Sequence, residues 1–299
     1  MTESTAIDRA TELQITDATF DGPHGTVPIR IYQVPGTEPR SGLLWLHGGA
    51  FMFGDLEMPE SHWVAQQLAD GDRIVVAADY RLAPIPETLA AHVPPRPGHH
   101  FPVASEELTA LFEALVSTDL AATTTDWAVG GASAGGNLAA GVAMRLRDEE
   151  RATALGLLLV YPLLHAELPA FRPELAAKVA QLPEASQSGP AAVADLNLHY
   201  VGGNAEALSS PYAFAGGHDL EGLPSTFVLN SDSDSLRASG EAFAAELAAA
   251  GVDVQVINER GTVHGHINGP DNYGADRSIT RIHRWLRDIE HDLRDSING

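Results

Sequence analysis

The chain of 299 residues contains no cysteine, which excludes disulfides and thiolate chemistry at the outset. Basic residues are scarce: 18 Lys and Arg stand against 40 Asp and Glu, for a formal charge of −22. Such a field repels nucleic-acid phosphates and anionic membrane surfaces, so neither is an expected partner, and the acidic excess reads as a solvated surface. No apolar run approaches the roughly 20 residues that a membrane span requires. The opening MTESTAIDRATELQ lacks a basic stretch followed by an apolar one, so no signal peptide is read and a cytoplasmic location is the expectation. His92, His99 and His100 have neither cysteine partners nor HExxH spacing and read as solvated or packing residues; no metal and no cofactor is expected.

What the chain has is the composition of a globular domain, 44% hydrophobic with 19% charged. LQITDATF and VPIRIYQV alternate apolar and polar residues around the turn-like DGPHG, which predicts an antiparallel hairpin at a sheet edge. Thereafter come short, continuously apolar runs: LLWL (43–46), IVVAA (74–78), WAVG (127–130), LGLLLVY (155–161), STFVLN (225–230) and VDVQVI (252–257). These suit strands buried on both faces of a parallel sheet. Helical stripes lie between them, such as Val103, Leu108, Leu111, Phe112 and Leu115, or Ile279, Ile282, Trp285, Leu286 and Ile289. The alternation predicts one α/β domain over 1–299 with a mainly parallel sheet. Two segments interrupt the rhythm, 85–100 and 165–210, and both read as lid or cap insertions.

The chemistry concentrates in three places. Gly131-Ala132-Ser133-Ala134-Gly135 follows a strand pattern and precedes a helical one, the context of a nucleophile elbow whose tight turn tolerates only small neighbours. His47-Gly48-Gly49-Ala50 follows LLWL, where an HGGG-type loop supplies backbone N–H donors to an oxyanion; Gly49, Ala50 and Ala134 are the candidate donors. Downstream, Asp232 and Asp234 follow one strand and His264 the next, which completes the order serine, acid, histidine. Phe51, Phe53, Trp63, Phe101, Tyr200 and Phe214 are candidate pocket aromatics.

Taken jointly, HGGAF, DYRLAP, GASAGG, DSLRASG and HGH resemble the hormone-sensitive-lipase family of α/β hydrolases over roughly residues 25 to 290. The resemblance implies an α/β-hydrolase fold with an eight-stranded, mainly parallel sheet flanked by helices. It also implies a carboxylesterase for short-chain or aromatic esters with Ser133 as nucleophile and His264 as base. Asp234 is the implied acid, since the family's D-x-L-R falls on Asp234-Ser235-Leu236-Arg237, with Asp232 the alternative. The same triad serves amidases, carbamate hydrolases and lactonases, and a ligand-binding protein on this fold is the reading from another class.

The departures from the family concern the substrate. Ala50 stands where a third glycine is common, Ala132 where an acidic or hydroxylated residue is, and His266 where Phe is, so His266 joins Phe51, Phe53 and Tyr200 as an expected pocket residue. The first strand begins without the family's helical N-terminal segment, while 85–98 reads as inserted. Both insertions together are expected to replace the missing cap. VDVQVI is expected near a sheet edge, where two copies could pair, and a small neutral ester is the expected substrate.

Overall fold

The computed structural model describes residues 12–89, 92–117, 120–121, 124–183 and 188–298; positions 90–91 and 184–187 of the two insertions and the ends of the 1–299 domain lie outside them. The hairpin is present as β1 (Gln14–Gly22) and β2 (Gly25–Gln33), closed where Gly25 takes a φ of 108° that glycine adopts without strain. The apolar runs become β3 (Ser41–Leu46), β4 (Arg73–Ala78), β5 (Trp127–Ala132), β6 (Leu157–Val160), β7 (Thr226–Ser233) and β8 (Val254–Val263). They form one eight-stranded sheet in the order β1-β2-β4-β3-β5-β6-β7-β8. β1 and β2 pair antiparallel, as do β2 and β4, and every later pair is parallel.

Continuous apolarity has a direct cause in this sheet: successive side chains face opposite helix layers. Leu44, Leu46, Ile74, Val76 and Val129 point into one core, with α2 (Val103–Val116), α3 (Ala134–Asp148) and α6 (Arg237–Ala249). Leu43, Trp45, Val75, Ala77 and Ala128 point into the other, with α1 (His62–Leu68) and α7 (Tyr273–Asn298). Each fully buried aliphatic side chain stabilises the fold by about 1.5–3 kcal/mol. The α7 stripe of Ile279, Ile282, Trp285 and Leu286 is buried, and the helix is clamped where buried Arg73 donates to both Glu290 oxygens at 2.6 and 2.9 Å. β8 is an edge strand on which Val256 and Val263 remain exposed. Among the described residues no helix is long and apolar enough to cross a membrane.

The topology decides where chemistry can gather. From β3 the chain passes to β4 on one side, and from β5 to β6 on the other, so a crevice opens beyond the carboxyl ends of β3 and β5. The connection after β6 carries the small helices α4 (Pro173–Val179) and α5 (Pro190–Tyr200), each begun by a proline whose missing N–H costs nothing in a first turn.

Candidate active site

Ser133 sits between β5 and α3 with φ 53° and ψ −116°, a conformation that costs a non-glycine residue about 1–3 kcal/mol and projects the hydroxyl into the crevice. The flanking glycines are required by contact. A Cβ on Gly131 would lie 2.4 Å from the Gly135 carbonyl carbon, and one on Gly135 would lie 2.1 Å from Leu46 O. The Ser133 N–H donates to Val160 O at 2.9 Å, which ties the turn to β6.

His264 follows the last strand, and its Nε2 stands 3.0 Å from Ser133 Oγ. Its Nδ1 is 2.7 Å from Asp234 Oδ2. An ionised carboxylate only accepts, so the proton belongs on Nδ1, and Nε2 is left to accept from the serine hydroxyl. Asp234 is itself buried and accepts the Leu236 N–H on its other oxygen at 2.9 Å. Burial pulls the imidazole pKa down, but the charge and hydrogen bond of Asp234, with the charge of Glu60, outweigh it and leave the pKa above the ordinary 6.5. Crowded as it is, the His264 side chain keeps 40% of its surface open towards the crevice. Asp232, the alternative acid, lies elsewhere, paired with Lys178 at 2.5 Å and Arg237 at 3.3 Å.

The loop after β3 doubles back through positive φ at Gly49 (119°), Ala50 (52°) and Phe51 (61°), and Gly49 O accepts the N–H of Met52 and Phe53. Among the described residues no backbone acceptor takes the N–H of Gly49, Ala50 or Ala134, and all three residues line one cavity with Ser133 and His264. Ala134 opens α3, where first-turn N–H groups have no intrahelical partner and the helix dipole favours negative charge. The loop is held from outside by Tyr80, whose hydroxyl donates to His47 O at 2.7 Å, and by the Gly48 N–H, which donates to Glu60 Oε2 at 2.6 Å.

The cavity measures about 350 Å³, at the small end for ligand sites. Phe51 and Phe53 are among its walls, with Met58, Glu60, Leu163, Ser188, Val193, Leu196, Leu236 and Asn268. Tyr200 and His266 are not, and two pocket expectations are corrected. Tyr200 stacks on Phe51 at a ring-centroid distance of 3.8 Å and braces it from behind. His266 is buried between Ser231 Oγ (2.8 Å) and Ser278 Oγ (2.7 Å), and burial pulls its pKa down to about 4. Trp63, Phe101 and Phe214 also pack elsewhere.

The two insertions differ as well. Residues 165–210 supply Ser188, Val193 and Leu196 to the cavity, whereas no described residue of 85–100 reaches it. Instead Ile85 pairs with Arg96, and Arg96 Nη2 donates to Met52 O at 2.5 Å, which buttresses the loop behind Phe51. A larger hollow of about 620 Å³ between 169–175, α6 and β8 contains none of the serine, histidine or loop donors, so the chemistry belongs to the smaller one.

Motif reading missed Glu60, Tyr161 and Asn268. Glu60 follows Met58-Pro59 in an irregular stretch with no pattern to single it out, and Tyr161 read as the end of an apolar run. A usable signal for Tyr161 was its place at the carboxyl end of a parallel strand, the end where such sheets bind ligands.

A family model described as the α/β hydrolase fold matches residues 43–268. The esterase LipI of Mycobacterium tuberculosis is 32% identical over 263 residues, covering 86% of this chain and 76% of the relative. The carboxylesterase NlhH of the same species is 30% identical over 272 residues, with the same two coverages. Among solved structures, an esterase of Pyrobaculum calidifontis superposes with a TM-score of 0.74 at 28% identity, over 93% of this chain and 85% of that one.

Proposed function

The chain belongs to the hormone-sensitive-lipase-like family of α/β hydrolases, and on that premise we propose that it is a serine carboxylesterase for small neutral esters of short-chain or aromatic acids. One observation carries the reading. The hydroxyl of Ser133 and the Nε2 of His264 meet on the wall of a cavity that also presents unengaged backbone N–H groups, and the buried carboxylate of Asp234 completes the hydrogen-bonded series behind them.

In this reading His264 takes the proton of Ser133 as Oγ attacks the ester carbonyl, and the N–H groups of Gly49, Ala50 and Ala134 receive the oxyanion. Collapse breaks the acyl–oxygen bond, and His264 passes its proton to the departing alcohol. Water then attacks the acyl-enzyme with His264 again as base, which releases the acid and restores Ser133. Asp234 holds the tautomer and balances the imidazolium charge. A cavity of about 350 Å³ with apolar walls suits short acyl groups.

The test is hydrolysis of p-nitrophenyl esters from acetate to dodecanoate by the native protein and by Ser133→Ala. Activity greatest on short chains and abolished in the variant is the expected result. A folded native protein that cleaves none of the series contradicts the reading, as does activity surviving in Ser133→Ala.

A further inference from the structure

Among the described residues Glu60 is the one carboxylate of the cavity wall. It belongs to neither the strand nor the helix beside it, yet it touches three of the loops that build the site. Its Oε2 accepts the Gly48 N–H of the loop after β3 at 2.6 Å, and its Oε1 accepts the hydroxyl of Tyr161 from the end of β6. Its own N–H donates to Asn268 Oδ1 at 2.9 Å, in the turn that follows His264, and its carbonyl accepts Trp45 Nε1–H at 2.8 Å. The side chain is almost wholly buried. A buried acid with this many partners is expensive to maintain unless something in the site uses it.

Resting on the esterase reading, we propose that Glu60 is a positioning residue of the ester-cleaving site. Through Gly48 it sets the oxyanion loop, and as a carboxylate beside His264 it supports the imidazolium that forms when Ser133 gives up its proton. The packing makes the two roles inseparable. A Cβ on Gly48 would meet Glu60 Oε2 at 2.5 Å and Ser133 Cβ at 3.1 Å, so the loop at Gly48 is closed in by the carboxylate and by the nucleophile. Tyr161 bridges the other side, its ring set edge-on to His264 at a centroid distance of 4.9 Å while its hydroxyl faces Glu60.

The ionisable groups around His264 are Asp234 from the β7 loop, Glu60 ahead of α1, Tyr161 after β6 and His266 on its own turn. Asp234 and Glu60 both favour the charged imidazole, Tyr161 is held neutral because burial pushes its pKa well up, and His266 is neutral above about pH 4. Burial also pushes the pKa of Glu60 up, against the pull of Tyr161, Gly48 and His264. In the structure the Gly48 N–H and the Tyr161 hydroxyl both donate to this side chain, one to each oxygen, and a carboxylate accepts both.

The experiment compares kcat, KM and the acid limb of kcat/KM for the native protein, Ser133→Ala, Glu60→Gln and Tyr161→Phe on p-nitrophenyl acetate. Glutamine can still accept from Gly48 and offer its amide to the Tyr161 oxygen, so it keeps the shape and removes the charge. The expected result for Glu60→Gln is a kcat lower by roughly 10-fold with KM little changed, and an acid limb moved to lower pH by roughly half a unit or more. Tyr161→Phe deprives Oε1 of its donor, favours the neutral acid and moves the limb in the same direction by less; it carries the test if Glu60→Gln does not fold. An acid limb in the native position overturns the proposal whatever happens to the rate, since a merely structural residue would lower kcat without moving it. If Ser133→Ala is inactive while the limb stays put, only the role of Glu60 falls. If Ser133→Ala retains activity, the esterase reading itself fails.

Discussion

Among the described residues two series of serine, histidine and carboxylate stand out, and the first of them faces the cavity described above. In the first, Ser133 Oγ, His264 and Asp234 are separated by 3.0 and 2.7 Å. In the second, Ser239 Oγ is 2.8 Å from His165 Nδ1, and His165 Nε2 is 3.1 Å from Glu246 Oε1. Residue types and distances are nearly alike. The backbone is not, because Ser239 lies inside α6, fully buried, and its hydroxyl also accepts the Leu164 N–H at 2.9 Å. Ser133 stands on a strained turn with open donors beside it. A nucleophile therefore needs access and free N–H groups as much as it needs a base. The second series is a buried fastening between the loop after β6 and α6, extended where Glu246 Oε2 accepts the Gly217 N–H at 3.0 Å.

The comparison breaks most sharply on the serines. Ser133→Ala is expected to lower kcat by at least several orders of magnitude, while Ser239→Ala keeps kcat/KM within about 2-fold. Labelling with a serine-reactive fluorophosphonate, followed by peptide mapping, should find Ser133 alone. The acids come next. Asp234→Asn is expected to cost about 10⁴ in kcat, because the amide no longer holds the proton on Nδ1, whereas Asp232→Asn and Glu246→Gln leave kcat within a few-fold. Equal losses at Asp232 and Asp234 would dissolve the distinction drawn from their partners.

Histidines two positions apart give the pH form of the same contrast. His264 must be neutral to accept a proton, and its pKa lies above 6.5, so esterase activity should fall on acidification with an apparent pKa above that value. His266 titrates in the opposite sense. Its folded pKa of about 4 lies below the unfolded 6.5, so the unfolded chain binds the proton first and stability present above pH 6.5 is lost as pH falls towards 4. Denaturant titrations should show about 2 kcal/mol of this loss by pH 5, absent in His266→Gln. The smallest effect expected is the stability cost of Ser239→Ala, about 1–2 kcal/mol for the stranded Leu164 N–H and His165 ring, read from the same titrations.

Much of this was legible in order and spacing. The six apolar runs read as parallel strands are strands; five are buried because a strand covered on both faces has no solvent side to alternate towards, whereas VDVQVI, expected to be buried on both faces, opens the largely exposed edge strand β8. The glycines around Ser133 announced a turn too tight for side chains, and contact distances at Gly131 and Gly135 give the cause. The walls of the cavity were not legible. Phe51 and Tyr200 are equally aromatic in the sequence, yet they stack with one face to the cavity and the other to the core. His266, two residues from His264, was read as a pocket residue because proximity along a chain says nothing about direction across a turn with Gly265 at φ 75°.

By itself the sequence determined the strand and helix order, the small-residue turn that raises Ser133, and the downstream supply of an acid and a histidine, since each follows from local sterics and periodicity over a few residues. Only the tertiary structure decided which aspartate meets His264, which of two serine–histidine pairs has access, and that Glu60 joins three loops. Those outcomes depend on distances between residues tens to hundreds of positions apart, and such distances are set by how the sheet orders its strands and by what each buried charge finds to pair with.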